Sequence, residues 1–203
     1  MSNKTLKKLS DRLRELQKEF PSHQIEVWSF DEHRVGLKPI LRKVWAPIGE
    51  RPSAVVCHRY EWVYLYGFVN PPTGKTEWFI IPRVNIEWLN LVLEQFALQT
   101  GAGTSKKILL VMDRAGWHRS DKVVLPSGIY VEYLPPYSPE QQRAERLWSV
   151  ADEPLVNKSF DKIQDLEVVL EERCQILSTT MTEPIKNLTN YYWWPQKCLP
   201  CEG

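Results

Sequence analysis

Residues 107–112, Lys-Ile-Leu-Leu-Val-Met, form a nearly continuous apolar run that stops abruptly at Asp113. The run is far shorter than the roughly 20 apolar residues that span a bilayer. It also lacks the alternation of a strand with one wet face. It is the pattern of a central strand buried on both faces, which requires helices on each side of a sheet. A chain of 203 residues can supply those layers within one domain. With 43% hydrophobic residues, and 26 Lys+Arg against 25 Asp+Glu, a strongly charged disordered chain is excluded. The net charge of +1 offers no direct sign of a nucleic-acid partner.

The flanking patterns fit such a sheet. Leu6, Leu9, Leu13, Leu16 and Phe20 recur at steps of three and four, predicting a helix over 4–20 that Pro21 ends. That helix either packs on the domain or joins it to a second copy or another module. Gln24 to Phe30 reads as a strand closing at Asp31-Glu32. The stretch from Val35 to Ser53, with Pro39, Pro47 and Pro52, reads as an irregular arm. Glu61–Val69 and Thr76–Ile81 are aromatic and β-branched runs around Asn70-Pro-Pro-Thr-Gly74, a hairpin pattern. Asn85 is a candidate N-cap for a helix to Gln99, ended by Gly101-Ala-Gly103. A last strand is expected over Ile129–Leu134, then helices over Gln141–Ala151 and Asp161–Ser178. In the final helix Ile163, Leu166, Val169, Leu170, Cys174 and Leu177 share a stripe. Strands followed by strand–helix alternation predict an α/β fold, a mixed sheet covered by helices.

Four scattered cysteines (Cys57, Cys174, Cys198, Cys201) suit a reducing cytosol better than a disulfide scaffold. Cys198-x-x-Cys201 has metal-ligand spacing but no second pair, so it reads as an ordinary tail. The start of the chain has no signal-peptide core, and a cytoplasmic location is expected.

Three carboxylates fall where chemistry gathers in an α/β sheet. Asp31 and Asp113 each close a strand, and ligands collect beyond the carboxyl ends of strands. Glu145 lies early in the helix after Pro135-Pro-Tyr-Ser-Pro139, on a stripe with Gln141 and Ser149, while Trp148 anchors the apolar face. Three carboxylates together repel one another and raise at least one pKa. A bound divalent cation removes that conflict, and hard oxygen donors favour Mg²⁺ or Mn²⁺ over Zn²⁺. Taken singly, each acid reads more readily as an ordinary solvated strand-end or helix residue.

The surrounding words are specific. Trp28-Ser-Phe-Asp31-Glu32, then Ile108-Leu-Leu-Val-Met-Asp113-Arg-Ala-Gly-Trp-His118, then Leu134-Pro-Pro-Tyr-Ser-Pro-Glu140-Gln-Gln-Arg-Ala-Glu145-Arg-Leu-Trp148 appear in that order. This closely resembles the catalytic domain of DDE transposases, in the insertion sequence 630 branch of the mariner superfamily, over about residues 24–160. Asp113 and Glu145 stand 32 positions apart, close to the family interval. The sequence departs at Arg114, where members often have Asn, and at Gln142-Arg143, where they commonly have Asn-Pro.

The resemblance implies an RNase H-like five-stranded mixed sheet on which Asp31, Asp113 and Glu145 bind two Mg²⁺ or Mn²⁺ ions. It also implies cleavage at transposon ends, transfer of the freed 3′ hydroxyl into target DNA, and a homodimer in the DNA complex. Relatives usually carry helix-turn-helix modules ahead of this domain, so a separate DNA-binding protein or upstream frame is a further expected partner. The expected division is an N-terminal helix over 1–23, the catalytic domain over 24–160, and a C-terminal helix and tail over 161–203.

Candidate phosphate contacts are Arg114, His118, Arg119, Arg143 and Arg146 near the acids, and Arg42, Lys43 and Arg51 on the Pro-rich arm. For each, a structural role is the competing reading. Residues 1–51 hold eleven Lys+Arg against seven acids, whereas 152–172 hold seven acids against Lys158 and Lys162. A basic front and an acidic back can hold DNA at a net charge near zero. Two other readings stand beside transposition: a metal-dependent nuclease that only hydrolyses, and a non-catalytic DNA-binding remnant of a decayed or split element.

Overall fold

A computed structural model describes residues 3–50, 53, 59–114, 121–135, 142–192, 194 and 195. Five strands form one mixed sheet: β1 (Gln24–Gly36), β2 (Trp62–Asn70), β3 (Lys75–Ile81), β4 (Lys106–Met112) and β5 (Ile129–Tyr133). Their spatial order is β3-β2-β1-β4-β5. The hairpin of β2 and β3 is antiparallel, as is β1 to β2, while β1, β4 and β5 run parallel.

The apolar run around Leu109 is the double-sided strand that its composition predicts. Leu109 and Val111 join Ile25 and Val27 beneath α1 (Asn3–Glu19), whose Leu9, Leu13 and Leu16 are buried there. Ile108, Leu110 and Met112 face the other way and pack with Trp28, Phe30, Tyr66 and Phe68 under α2 (Ile86–Thr100). Asn85 caps α2 by accepting from the Trp88 backbone N–H at 2.8 Å, and Gly101 ends it in the left-handed region at φ 71°. Each fully buried Leu or Val stabilises the fold by about 1.5–3 kcal/mol, so a helix on each face is what holds this sheet.

A third cluster covers the α1 side of β1 and β2. Val35, Val63, Leu65 and Val69 pack there against α3 (Trp148–Ala151) and α4 (Ile163–Thr179), through Leu166, Leu170 and Leu177. A further helix, α5 (Thr182–Thr189), adds Ile185 to the same cluster and has no counterpart in the sequence reading.

Two expectations change. First, β1 does not end at Asp31 but continues to Gly36, because β2 pairs with it all the way from Ser29 to Gly36. Only its ladder with β4 stops early, at Ser29 opposite Val111. Second, the expected helix over Gln141–Ala151 is a 3-10 turn, Ala144–Leu147, followed by the single turn of α3. The Ala144 N–H bonds the Ser29 hydroxyl, and the Arg146 N–H reaches back to the Arg143 carbonyl, a three-residue step. Gln141, the first member of the expected stripe, lies outside the described residues, and Glu145 and Ser149 do not share one continuous α-helix. The Pro-rich arm leaves β1 and touches the body through a bridge from Ile40 to Val156, then runs exposed through Glu50.

Candidate active site

The early end of the β1–β4 ladder creates the site. Asp31 and Asp113 each lie two residues beyond the last paired residues, Ser29 and Val111. Both are half-buried, and the Asp31 carboxylate feels the charge of Asp113. Burial pushes the Asp31 carboxyl up from 3.8 to about 7, opposed by a hydrogen bond from Trp148 and reinforced by the charges of Glu32 and Asp113. Glu32, the neighbouring residue, alternates to the other face of the strand.

Asp31 is held from above. The Trp148 indole N–H donates to Asp31 Oδ2 at 3.0 Å, and the ring stacks on His33 with centroids 4.9 Å apart and planes 16° apart. His33 Nε2 in turn meets Asp152 Oδ1 at 2.9 Å. Across the sheet, the residue opposite Asp31 is Gly67. Just before the acid, the buried Gln142 side chain accepts from the Ser29 hydroxyl and donates to the Phe30 carbonyl at 2.8 Å. Gln142 thus ties the Glu145 turn to β1.

Glu145 itself lies on the exposed side of the 3-10 turn. Among the described residues, no group of three His, Cys, Asp or Glu side chains is gathered closely enough to hold a metal ion. Asp31 and Asp113 are brought together; Glu145 reaches the same end of the sheet on the turn that Gln142 anchors. The donor set of Asp31 and Asp113 still fits a hard divalent cation: both are oxygen donors, and the burial and repulsion that raise Asp31 are what a cation offsets.

The basic candidates divide. Arg114 and Arg146 are exposed, whereas Arg143 is buried at 2% with its guanidinium 4.4 Å from the Tyr191 ring centre. Arg42 and Lys43 are exposed, and Arg42 is tied by backbone bonds to Asn157 and by its guanidinium to the Ser149 carbonyl. His118, Arg119 and Arg51 lie outside the described residues, as do Cys57, Cys198 and Cys201. Cys174 is free and buried, its thiol pushed up to about 12 by burial, which leaves it unreactive. Among the described residues no helix is long and apolar enough to cross a membrane.

Residues 26–167, more than half of the chain, match the family model described as DDE superfamily endonuclease. The chain belongs to the DDE endonuclease superfamily. A curated relative in Sinorhizobium fredii (strain NBRC 101917 / NGR234), the uncharacterized protein y4pE/y4sA, is 29% identical over 126 residues, 62% of this chain and 90% of that protein. Among solved structures, the Mos1 strand transfer complex aligns with TM-score 0.54 at 17% identity over 93% of this chain. A pre-cleavage Mos1 transpososome aligns with TM-score 0.55 at 14% identity, also over 93%. The chain spans 61% and 62% of those two chains' lengths. At such identities the likeness concerns the fold: the helix-flanked five-stranded mixed sheet is the RNase H-like core of this superfamily.

Sequence reasoning missed four residues that build the site: Ser29, His33, Gly67 and Asp152. One signal was visible. A glycine inside the aromatic run Trp62–Asn70 breaks strand propensity and marks a close approach by another group.

Proposed function

We propose that this chain is the catalytic part of a DDE transposase of the insertion sequence 630 branch, with residues 24–160 as the catalytic unit. The observation that carries the reading is the convergence of Asp31 and Asp113 beyond the β1–β4 ladder, in a member of the DDE superfamily. The three sequence blocks around Asp31, Asp113 and Glu145 support the narrower branch. Asp31, Asp113 and Glu145 would hold two Mg²⁺ or Mn²⁺ ions, whose chemistry there would be to activate the nucleophile and to offset charge on the scissile phosphate and the leaving oxygen.

The chain's own residues do the rest. Asp31 and Asp113, fixed by the two central parallel strands, set the position at which the phosphate is held. Gln142 holds the turn that carries Glu145 against β1. Arg114, Arg146, Arg42 and Lys43, all exposed, bind backbone phosphates, and His118, Arg119 and Arg51 join them by sequence position. Water attacks the phosphodiester at the element end and frees a 3′ hydroxyl. That hydroxyl then attacks a target phosphodiester, with no covalent enzyme intermediate. The substrates are transposon-end and target DNA, held by a homodimer, with helix-turn-helix recognition supplied by another segment or protein. The setting is the cytoplasm, with the chain associated with the nucleoid when bound to DNA.

The test is cleavage and joining of element-end DNA with Mg²⁺ or Mn²⁺, comparing the wild type with Asp113→Ala. Loss of both products in the variant is expected, and activity unchanged by the substitution would falsify the reading. Cleavage of a substrate without joining of a pre-cut 3′-OH end leaves a nuclease that only hydrolyses. Binding with neither product leaves a non-catalytic remnant.

A further inference from the structure

The Trp148 ring occupies a space that three neighbours define. Gly67 lies directly opposite Asp31 on β2. A Cβ built there meets Trp148 Cη2 at 2.9 Å and Cζ3 at 3.2 Å, closer than side chains pack. His33 covers one face of the ring in near-parallel stacking, and Trp78 meets it edge-on with centroids 6.3 Å apart. His33 is itself held by Asp152, whose backbone N–H bonds the Trp148 carbonyl at 2.9 Å. The ring has little freedom to tilt, and its one polar atom is engaged by Asp31 Oδ2.

A carboxylate offers about four lone-pair sites on its two oxygens. The indole takes one on Oδ2 and the Glu32 backbone N–H takes another, which leaves the remaining sites for a cation. We infer that Trp148 is a positioning residue for Asp31: its indole N–H fixes the plane of the metal-binding carboxylate, and Gly67 and His33 exist at their positions to seat the ring. This rests on the reading of Asp31 and Asp113 as cation ligands. A residue that only packed here would keep its value as phenylalanine, which retains an aromatic ring and loses the N–H. A residue that orients a metal ligand would not.

The probe is Mn²⁺ alone, with binding to the full chain measured by titration calorimetry and folding checked by thermal melting. Trp148→Phe is expected to keep a cooperative melt while Mn²⁺ affinity falls about ten- to a hundred-fold, the usual effect of losing a partner of a metal ligand. Cleavage by this variant should recover as Mn²⁺ is raised. In protein with isotope-labelled tryptophan, the indole N–H resonance that Trp148→Phe removes should shift as Mg²⁺ is added to the wild type. If Trp148→Phe does not fold, Gly67→Ala keeps the indole and displaces it, and the same loss of affinity is expected. Mn²⁺ affinity within about two-fold of the wild type in the folded variant, with binding abolished by Asp113→Asn, overturns the positioning role and leaves the metal site standing. Wild-type binding that Asp113→Asn leaves intact overturns the metal reading and the positioning role together.

Discussion

Ser29 of β1 lies opposite Val111 of β4, and two residues further along each strand delivers an aspartate. Parallel strands carry their side chains in step, so one register assignment brings Asp31 and Asp113 to the same point of the sheet edge. There β4 has ended and β1 continues alone against β2. The gap left by β4 is the space available to a ligand, as expected at the carboxyl ends of parallel strands.

Asp31 makes stability depend on pH in a defined direction. The folded protein keeps its proton to about pH 7, whereas the unfolded chain releases it near 3.8. The contribution is fully present below 3.8, declines as pH rises through the interval, and is lost above about 7. Thermal melts of the metal-free protein should therefore fall across this window, and Asp31→Asn should flatten the fall. Mg²⁺ should stabilise the wild type more at pH 8 than at pH 5. A melt profile identical in wild type and Asp31→Asn would contradict the assignment.

Gln142 is buried and satisfies the Ser29 hydroxyl and the Phe30 carbonyl. Gln142→Ala leaves these groups without that partner and should cost about 1–3 kcal/mol in denaturant titration. Because Ser29 also accepts from the Ala144 N–H, Ser29→Ala should be non-additive with it. Strict additivity would show that the two side chains do not act as one clamp. Cleavage should fall in both variants, since the turn carrying Glu145 loses its tie to β1.

Gly74 turns β2 into β3 at φ 72°, and a Cβ there would run into the Thr182 carbonyl at the start of α5. Gly74→Ala combines backbone strain with a clash against main chain, so a loss on the order of 2 kcal/mol or more is expected. Gly101→Ala is the control: it shares the positive φ but has nothing within 4 Å of the added carbon. Gly74→Ala should melt lower than Gly101→Ala, and equal melting would remove the role of the α5 contact.

DNA binding should weaken steeply as salt rises, since phosphate contacts release counterions. Arg146→Ala and Lys43→Ala, both at exposed positions, should each reduce the salt slope by about one unit without changing sequence preference. Arg143→Ala should instead lower stability, because its guanidinium is buried over Tyr191. Binding measured at several salt concentrations separates these outcomes, and a salt-insensitive affinity would count against the phosphate contacts.

Much of this was legible in the residues themselves. The apolar run before Asp113, the hairpin around Asn70–Gly74, the Asn85 cap and the stripe in α4 all follow from local periodicity and turn chemistry, and all appear in the structure. The break between β1 and the arm was misplaced because strand length there is decided by β2, a partner whose pairing no local pattern reveals. The apolar residues of the turn carrying Glu145 suit an α-helix; bonds from Ser29 and Arg143 tighten it instead.

Sequence alone determined the order of the elements through α4, the double-sided burial of β4 and the place of Asp113 just past its end, because each depends on residues within a few positions of one another. Tertiary structure alone decided that Trp148 meets Asp31, 117 residues away, that Gly67 clears the space for its ring, and that Gln142 bonds Phe30 across 112 residues. Those contacts depend on sheet register and on the docking of one short turn. Small errors in either would move every one of these atoms out of hydrogen-bonding range.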